Sequence, residues 1–94
     1  MNDLVVNDPD NARFVLRRGD QIIGKTDYRI DGNVITFVHT EIDPDVQERG
    51  LGTVLVQGAL DQVREDTDYR VVAECPFTRA FIRHHPNYRD LTER

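Results

Sequence analysis

Ninety-four residues, 38% hydrophobic and 31% charged, suffice for one small folded domain over 1–94 and exclude a long disordered tract. The net charge of −5 argues against non-specific nucleic-acid binding, which needs a basic footprint, and favours a cationic partner. One cysteine excludes an internal disulfide, no run approaches the roughly 20 apolar residues of a membrane span, and Met1-Asn2-Asp3-Leu4 lacks a signal-peptide pattern, so a cytoplasmic location is expected.

Residues 1–11 read as a polar lead-in containing Pro9. Phe14-Val15-Leu16 predicts a strand over 12–17, and Arg18-Gly19-Asp20 a hairpin turn. A second strand follows over 21–30, and Asp31-Gly32 is a strong two-residue hairpin signal. The third strand, 33–42, is apolar on both faces through Val34, Ile35, Phe37 and Val38, which predicts a central strand covered on both sides. Leu51, Val54, Leu55, Ala59, Leu60 and Val63 recur with helical spacing and predict an amphipathic helix over 51–66, with Gly58 inside it for close packing on the sheet. A fourth strand is expected over 69–75. A second helix then opens at Pro76 and ends before Pro86, leaving a short tail.

The fold class that results is α/β. A mixed sheet is formed by an N-terminal antiparallel three-stranded meander and a following βαβ unit, with a C-terminal helix. The crossover from 33 to 75 should be right-handed and its two strands parallel. Parallel strands end on one edge of a sheet, where ligands bind in open α/β folds. Topology therefore predicts that Glu41, Cys75 and the start of the first helix share one cleft. That helix is preceded by Gly50-Leu51-Gly52, and a glycine pair lets backbone N–H groups approach a ligand closely. An anion such as phosphate is the expected occupant of the helix start. No Lys-Ser or Lys-Thr follows, so this is not a nucleotide P-loop, and the third glycine of a dinucleotide fingerprint is missing.

Three stretches in order carry a family resemblance: His39-Thr40-Glu41-Ile42, Gln47-Glu48-Arg49-Gly50-Leu51-Gly52, and Cys75-Pro76-Phe77 running on through Phe81-Ile82-Arg83-His84-His85-Pro86-Asn87-Tyr88. Over roughly residues 12 to 90 the chain resembles a small, reduced branch of the GCN5-related N-acetyltransferase superfamily. The resemblance implies acetyl-coenzyme A as co-substrate and no metal. It also implies a splayed pair of strands that admits the pantetheine arm. The pyrophosphate set is then Gln47, Arg49, Gly50, Leu51, Gly52 and Thr53, with backbone groups around Ile42 and Asp43 gripping the pantetheine. The acceptor would be an amine, on a small molecule or on a protein lysine or N-terminus. In one respect the chain departs from the family pattern. Only Arg18-Gly19-Asp20 separates its first two expected strands, where typical members carry helices that help form the acceptor site.

The chemistry-bearing residues each have two or more readings. Glu41 is a candidate general base for an acceptor ammonium, or an exposed strand-end acid. His39 shares its strand face and is either a proton-handling partner or a hydrogen-bonded core histidine. Cys75 is an acyl-accepting nucleophile at a helix start, a passive lining of the thioester pocket, or a small buried hydrophobe. Asp43, Asp45 and Glu48 would oppose a phosphate unless they face solvent. His84-His85 lacks a third ligand at metal spacing. Arg79 and Arg83 are candidates for an outer phosphate, and Tyr88 for a general acid. Two other functions fit the same residues: a non-catalytic acyl-coenzyme A binding module, and an acidic protein-interaction domain.

Overall fold

The computed structural model describes residues 3–46 and 48–94. Its strands are β1 (Asp3–Asp8), β2 (Arg13–Arg18), β3 (Gln21–Asp31), β4 (Val34–Ile42) and β5 (Arg70–Ala73). Its helices are α1 (Leu51–Asp66) and α2 (Pro76–His84), and two 3-10 segments cover Pro9–Asn11 and Pro86–Glu93. The sheet runs β1-β2-β3-β4-β5, with antiparallel neighbours up to β4 and a parallel β4–β5 pair. The expected mixed sheet, βαβ crossover and C-terminal helix are all present.

The lead-in is in fact a strand. β1 pairs with β2 from Asp3↔Arg18 to Asp8↔Arg13, so the meander has four strands, not three. Its apolar run is only Leu4-Val5-Val6 between acids and amides, too short to stand out from its surroundings. The helix that packs on it carries the clue. A Cβ on Gly58 would lie 2.5 Å from Val5 Cγ2, so glycine is what lets α1 rest on β1.

One face of the sheet holds the core. Leu51, Leu55, Val56, Ala59, Leu60 and Val63 of α1 pack against Phe14, Leu16, Ile35 and Phe37, and Phe81, Ile82, Tyr88 and Leu91 extend the same cluster. Both helices thus lie on one side. The other face carries the register row Asp8–Arg13–Asp27–His39 and the row Val6–Val15–Lys25–Glu41. The expectation that the third strand is covered on both sides is therefore corrected. Its apolar run reflects a bulge: Asp27 faces His39 and Tyr28 faces Phe37, which leaves Val38 as an extra residue that breaks the alternation.

Candidate functional site at the strand fork

The parallel pair stops early. β4 and β5 are in register only from Val34↔Arg70 to Phe37↔Ala73. The N–H groups of Glu74 and Cys75 then both donate to the Phe37 carbonyl, at 3.0 and 2.9 Å, and the chain turns into α2. β4 continues to Ile42, so residues 38–42 run past the fork with an edge turned away from β3. This is the splayed pair that the sequence resemblance implied.

The glycine loop ends beside the fork. Gly50 has φ +82°, a left-handed conformation that favours glycine, and it starts α1 without a side-chain cap. The first bond within the helix is Val54 N–H to the Gly50 carbonyl at 3.0 Å, so the N–H groups of Leu51, Gly52 and Thr53 precede the helical ladder. Phe77 of α2 lies against Gly52, and a Cβ there would come within 2.7 Å of its ring. Phe77, with Thr53, Ala80, Phe81, His84 and His85, lines a cavity of about 220 Å³ next to the loop. Sequence reading missed Phe77 as a site residue, although it follows directly on Cys75-Pro76. Gln47 lies outside the described residues.

Two of the acids near the loop, Asp43 and Glu48, are already engaged, and Asp45 is exposed. Asp43 Oδ1 accepts the Asp45 N–H at 2.9 Å, and the Asp43 N–H donates to the Ile23 carbonyl at 2.8 Å. Glu48 meets Arg18, whose guanidinium grips Glu48 at 2.6 and 3.0 Å and Asp3 at 2.8 and 2.9 Å. Those hydrogen bonds hold both carboxyls below their usual range and raise the guanidinium. Depressed carboxyls stabilise the fold above their unfolded values and lose that contribution as pH falls through the folded ones. Melting temperature should accordingly fall on acidification below about pH 4, and less steeply in Arg18→Ala. Parallel profiles for the two proteins would show that the anchor contributes nothing measurable.

Cys75 sits at the N-cap of α2, 4% exposed. Its Sγ is 3.4 Å from Thr40 Oγ1, which in turn is 2.9 Å from Thr26 Oγ1. Burial pushes the thiol up, but the Thr40 hydroxyl and the backbone N–H groups of Thr78 and Phe77 more than offset it, so the thiol lies below its ordinary value. The sulfur thus has the Thr40 hydroxyl as a hydrogen-bond partner.

Glu41 and His39 do not join it on the same face. Thr40 points to the helices and to Cys75, so its two neighbours project to the helix-free face. There Glu41 Oε1 is 3.7 Å from His39 Nε2, and Glu41 Oε2 is 3.6 Å from Lys25 Nζ. Lys25 also reaches Asp27 at 2.9 Å, and Arg13 Nε lies 3.3 Å from the other oxygen of Asp27. The charged row borders a groove of about 390 Å³ that runs from Asp8 past Val15 and Lys25 to Glu41 and Asp43. The single cleft expected for phosphate, carboxylate and thiol is thus two faces that share the fork. Alternation along β4 is the cause, since adjacent strand residues point opposite ways.

Three of the remaining candidates, Tyr88, His85 and Arg79, make contacts within the fold. Tyr88 is buried, donates its hydroxyl to Asp61 at 2.6 Å, and is pushed up to about 12 by burial and that carboxylate. His85 stacks on Phe81 with ring centroids 4.1 Å apart. Arg79 donates to the carbonyls of Ala73 and Glu74. Among the described residues no three His, Cys, Asp or Glu side chains gather as a metal site.

No curated protein matches the chain. A family model described as GCN5-related N-acetyl-transferase matches residues 13–91, a span that includes the fork, the glycine loop and the thiol. The chain belongs to the GCN5-related N-acetyltransferase family.

Proposed function

We propose that this protein binds acetyl-coenzyme A at the fork and transfers the acetyl group to an amine. The observation that carries the reading is the fork itself, a strand edge freed beside a capless helix start and a hydrogen-bonded thiol. The pyrophosphate would take the N–H groups of Gly50, Leu51, Gly52 and Thr53, helped by the positive end of α1. Arg49, exposed in the same loop, adds a cationic side chain. The pantetheine would lie along residues 38–42. The Asp43 N–H is already committed to β3, which leaves the Ile42 side of that pair for the grip.

Transfer then runs from one face to the other. The thioester carbonyl reaches Cys75 from the helix side, and the acceptor amine arrives along the groove on the open face. There Glu41, with His39 beside it, takes the ammonium proton directly or through water. The open face supports this because, among the described residues, no helix stands where typical family members carry the helices that shape the acceptor site. Three carboxylates line the groove (Asp8, Glu41 and Asp43) against Arg13 and Lys25, and both of those cations also pair with Asp27, a balance that suits a positively charged amine.

Isothermal titration with acetyl-coenzyme A and with free coenzyme A, followed by intact mass of the incubated protein, tests the proposal. Binding of both ligands is expected, with a gain of one acetyl group that disappears in Cys75→Ala. Glu41→Gln should bind normally and slow amine acetylation by roughly a hundredfold, in the range of general-base loss. If neither ligand binds, the reading is wrong. Binding with full activity in both variants would assign transfer to neither residue.

A further inference from the structure

We propose that Arg18 is a positioning residue for the phosphate end of the cofactor: it draws the Glu48 carboxylate away from the anion site of the glycine loop and holds it against the β2–β3 hairpin. The inference rests on the coenzyme A reading of the preceding section, and concerns how so acidic a loop can take an anion.

By composition the loop is a poor phosphate site. Between β4 and α1 stand Asp43, Asp45 and Glu48 against one cation, Arg49. Glu48 is the acid nearest in the chain to the N–H groups of Leu51, Gly52 and Thr53, and it stands two residues before Gly50. The first turn of α1 contains no acidic residue. A helix end attracts negative charge only within its first turn, so a free carboxylate beside it would compete with any incoming phosphate.

Arg18 removes that competitor with most of its donors. Nη1 and Nη2 donate to the two oxygens of Glu48 at 2.6 and 3.0 Å, and Nε and Nη2 donate to the two oxygens of Asp3 at 2.8 and 2.9 Å. Four of the five N–H groups of one planar fork are thus committed, a geometry that a lysine ammonium cannot copy. Asp3 and Arg18 are partners in the β1–β2 register, so the sheet fixes the guanidinium before it reaches the loop. The side chains of Arg18 and Asp3 are 21% and 18% exposed, against 53% for Glu48. The arginine and Asp3 are therefore the anchored half of the contact, and Glu48 is the half that is caught.

The charges make the arrangement separable by mutation. Without the guanidinium, Asp3 and Glu48 are both uncompensated, and Glu48 is free to compete with the phosphates for Arg49 and for the helix start. Without the Glu48 charge, there is nothing to withdraw. Removing both leaves Asp3 alone, which restores the net charge of the intact cluster.

Isothermal titration with free coenzyme A at low ionic strength compares wild type, Arg18→Ala, Glu48→Gln and the double variant. Arg18→Ala should bind about three- to tenfold more weakly, the scale of one carboxylate released within a Debye length of a multiply charged phosphate. Glu48→Gln should bind at least as tightly as wild type, and the double variant should return to within about twofold of it. Melting temperature should fall in Arg18→Ala and stay lowered in the double variant. Affinity that recovers while stability does not is a result that a purely structural role would not produce. The Arg18→Ala deficit should also shrink in about 0.5 M salt. Arg18→Gln takes the place of alanine if that variant does not fold. Unchanged affinity in Arg18→Ala overturns the proposal, and so does a double variant as weak as Arg18→Ala. If wild type takes up no coenzyme A, the same proteins are titrated with inorganic pyrophosphate. The expected order of affinities there keeps the role of Arg18 and sinks only the cofactor reading, whereas no binding overturns both.

Discussion

Gly52→Val is expected to weaken coenzyme A binding at least about tenfold, a change of roughly 1.4 kcal/mol or more, while the domain stays folded. Two effects act together. The new Cβ would lie 2.7, 3.1 and 3.3 Å from three atoms of the Phe77 ring, so α2 or the ring must yield. Phe77 is 43% exposed and can swing outward, which spares the core. That movement disturbs the cavity beside the loop, and the added methyl groups stand over the N–H groups that would meet the pyrophosphate. Isothermal titration checks affinity, and a melting curve within a few degrees of wild type checks the fold. Unchanged affinity would mean that the loop is a turn and not a phosphate site.

Gly58→Leu is the expected structural counterpart. A Cβ at Gly58 would meet Val5 Cγ2, Cβ and Cγ1 at 2.5, 2.7 and 3.1 Å, and leucine adds further atoms in the same direction. Overpacking of this kind costs about 1–3 kcal/mol, set against roughly 1 kcal/mol gained by removing glycine from a helix interior. The net loss should lower the melting temperature by several degrees, at about 4–8 °C per kcal/mol for a domain of this size. Amide exchange should rise first in β1, an edge strand held on one side only. A leucine variant as stable as wild type, with β1 still protected, would show that α1 does not rest on that strand. Gly58→Ala is the graded control.

Much of the fold was legible because the cues were local. The two-residue hairpin that joins β3 to β4 lies one position later than the Asp31-Gly32 dipeptide predicts, at Gly32-Asn33, because Asp31 still pairs with Val34. The helical periodicity of residues 51–66 matches the bounds of α1, and five of the six expected face residues are buried; Val54 is exposed and Val56 takes its place in the core. Pro76 and Pro86 both stand at the first turn of a helical segment, where the lost N–H has no helical partner anyway. β1 was not legible, since an edge strand with three apolar residues carries too weak a pattern and the glycine that accommodates it lies more than fifty positions away.

The amino-acid sequence by itself determined the order of strands and helices from β2 onward, the glycine loop at the start of α1, and membership of a family whose motifs stand in order along the chain. Those properties depend on residues close together in the chain. Only the tertiary structure decided which chemical groups share a face. Thr40 rather than Glu41 reaches Cys75, because alternation along β4 turns neighbouring side chains to opposite sides. Arg18 closes on Glu48 and Asp3 from a hairpin distant in sequence from the loop it anchors. Each is a contact between separate elements, set by strand register and helix packing, and no local pattern of residues encodes it.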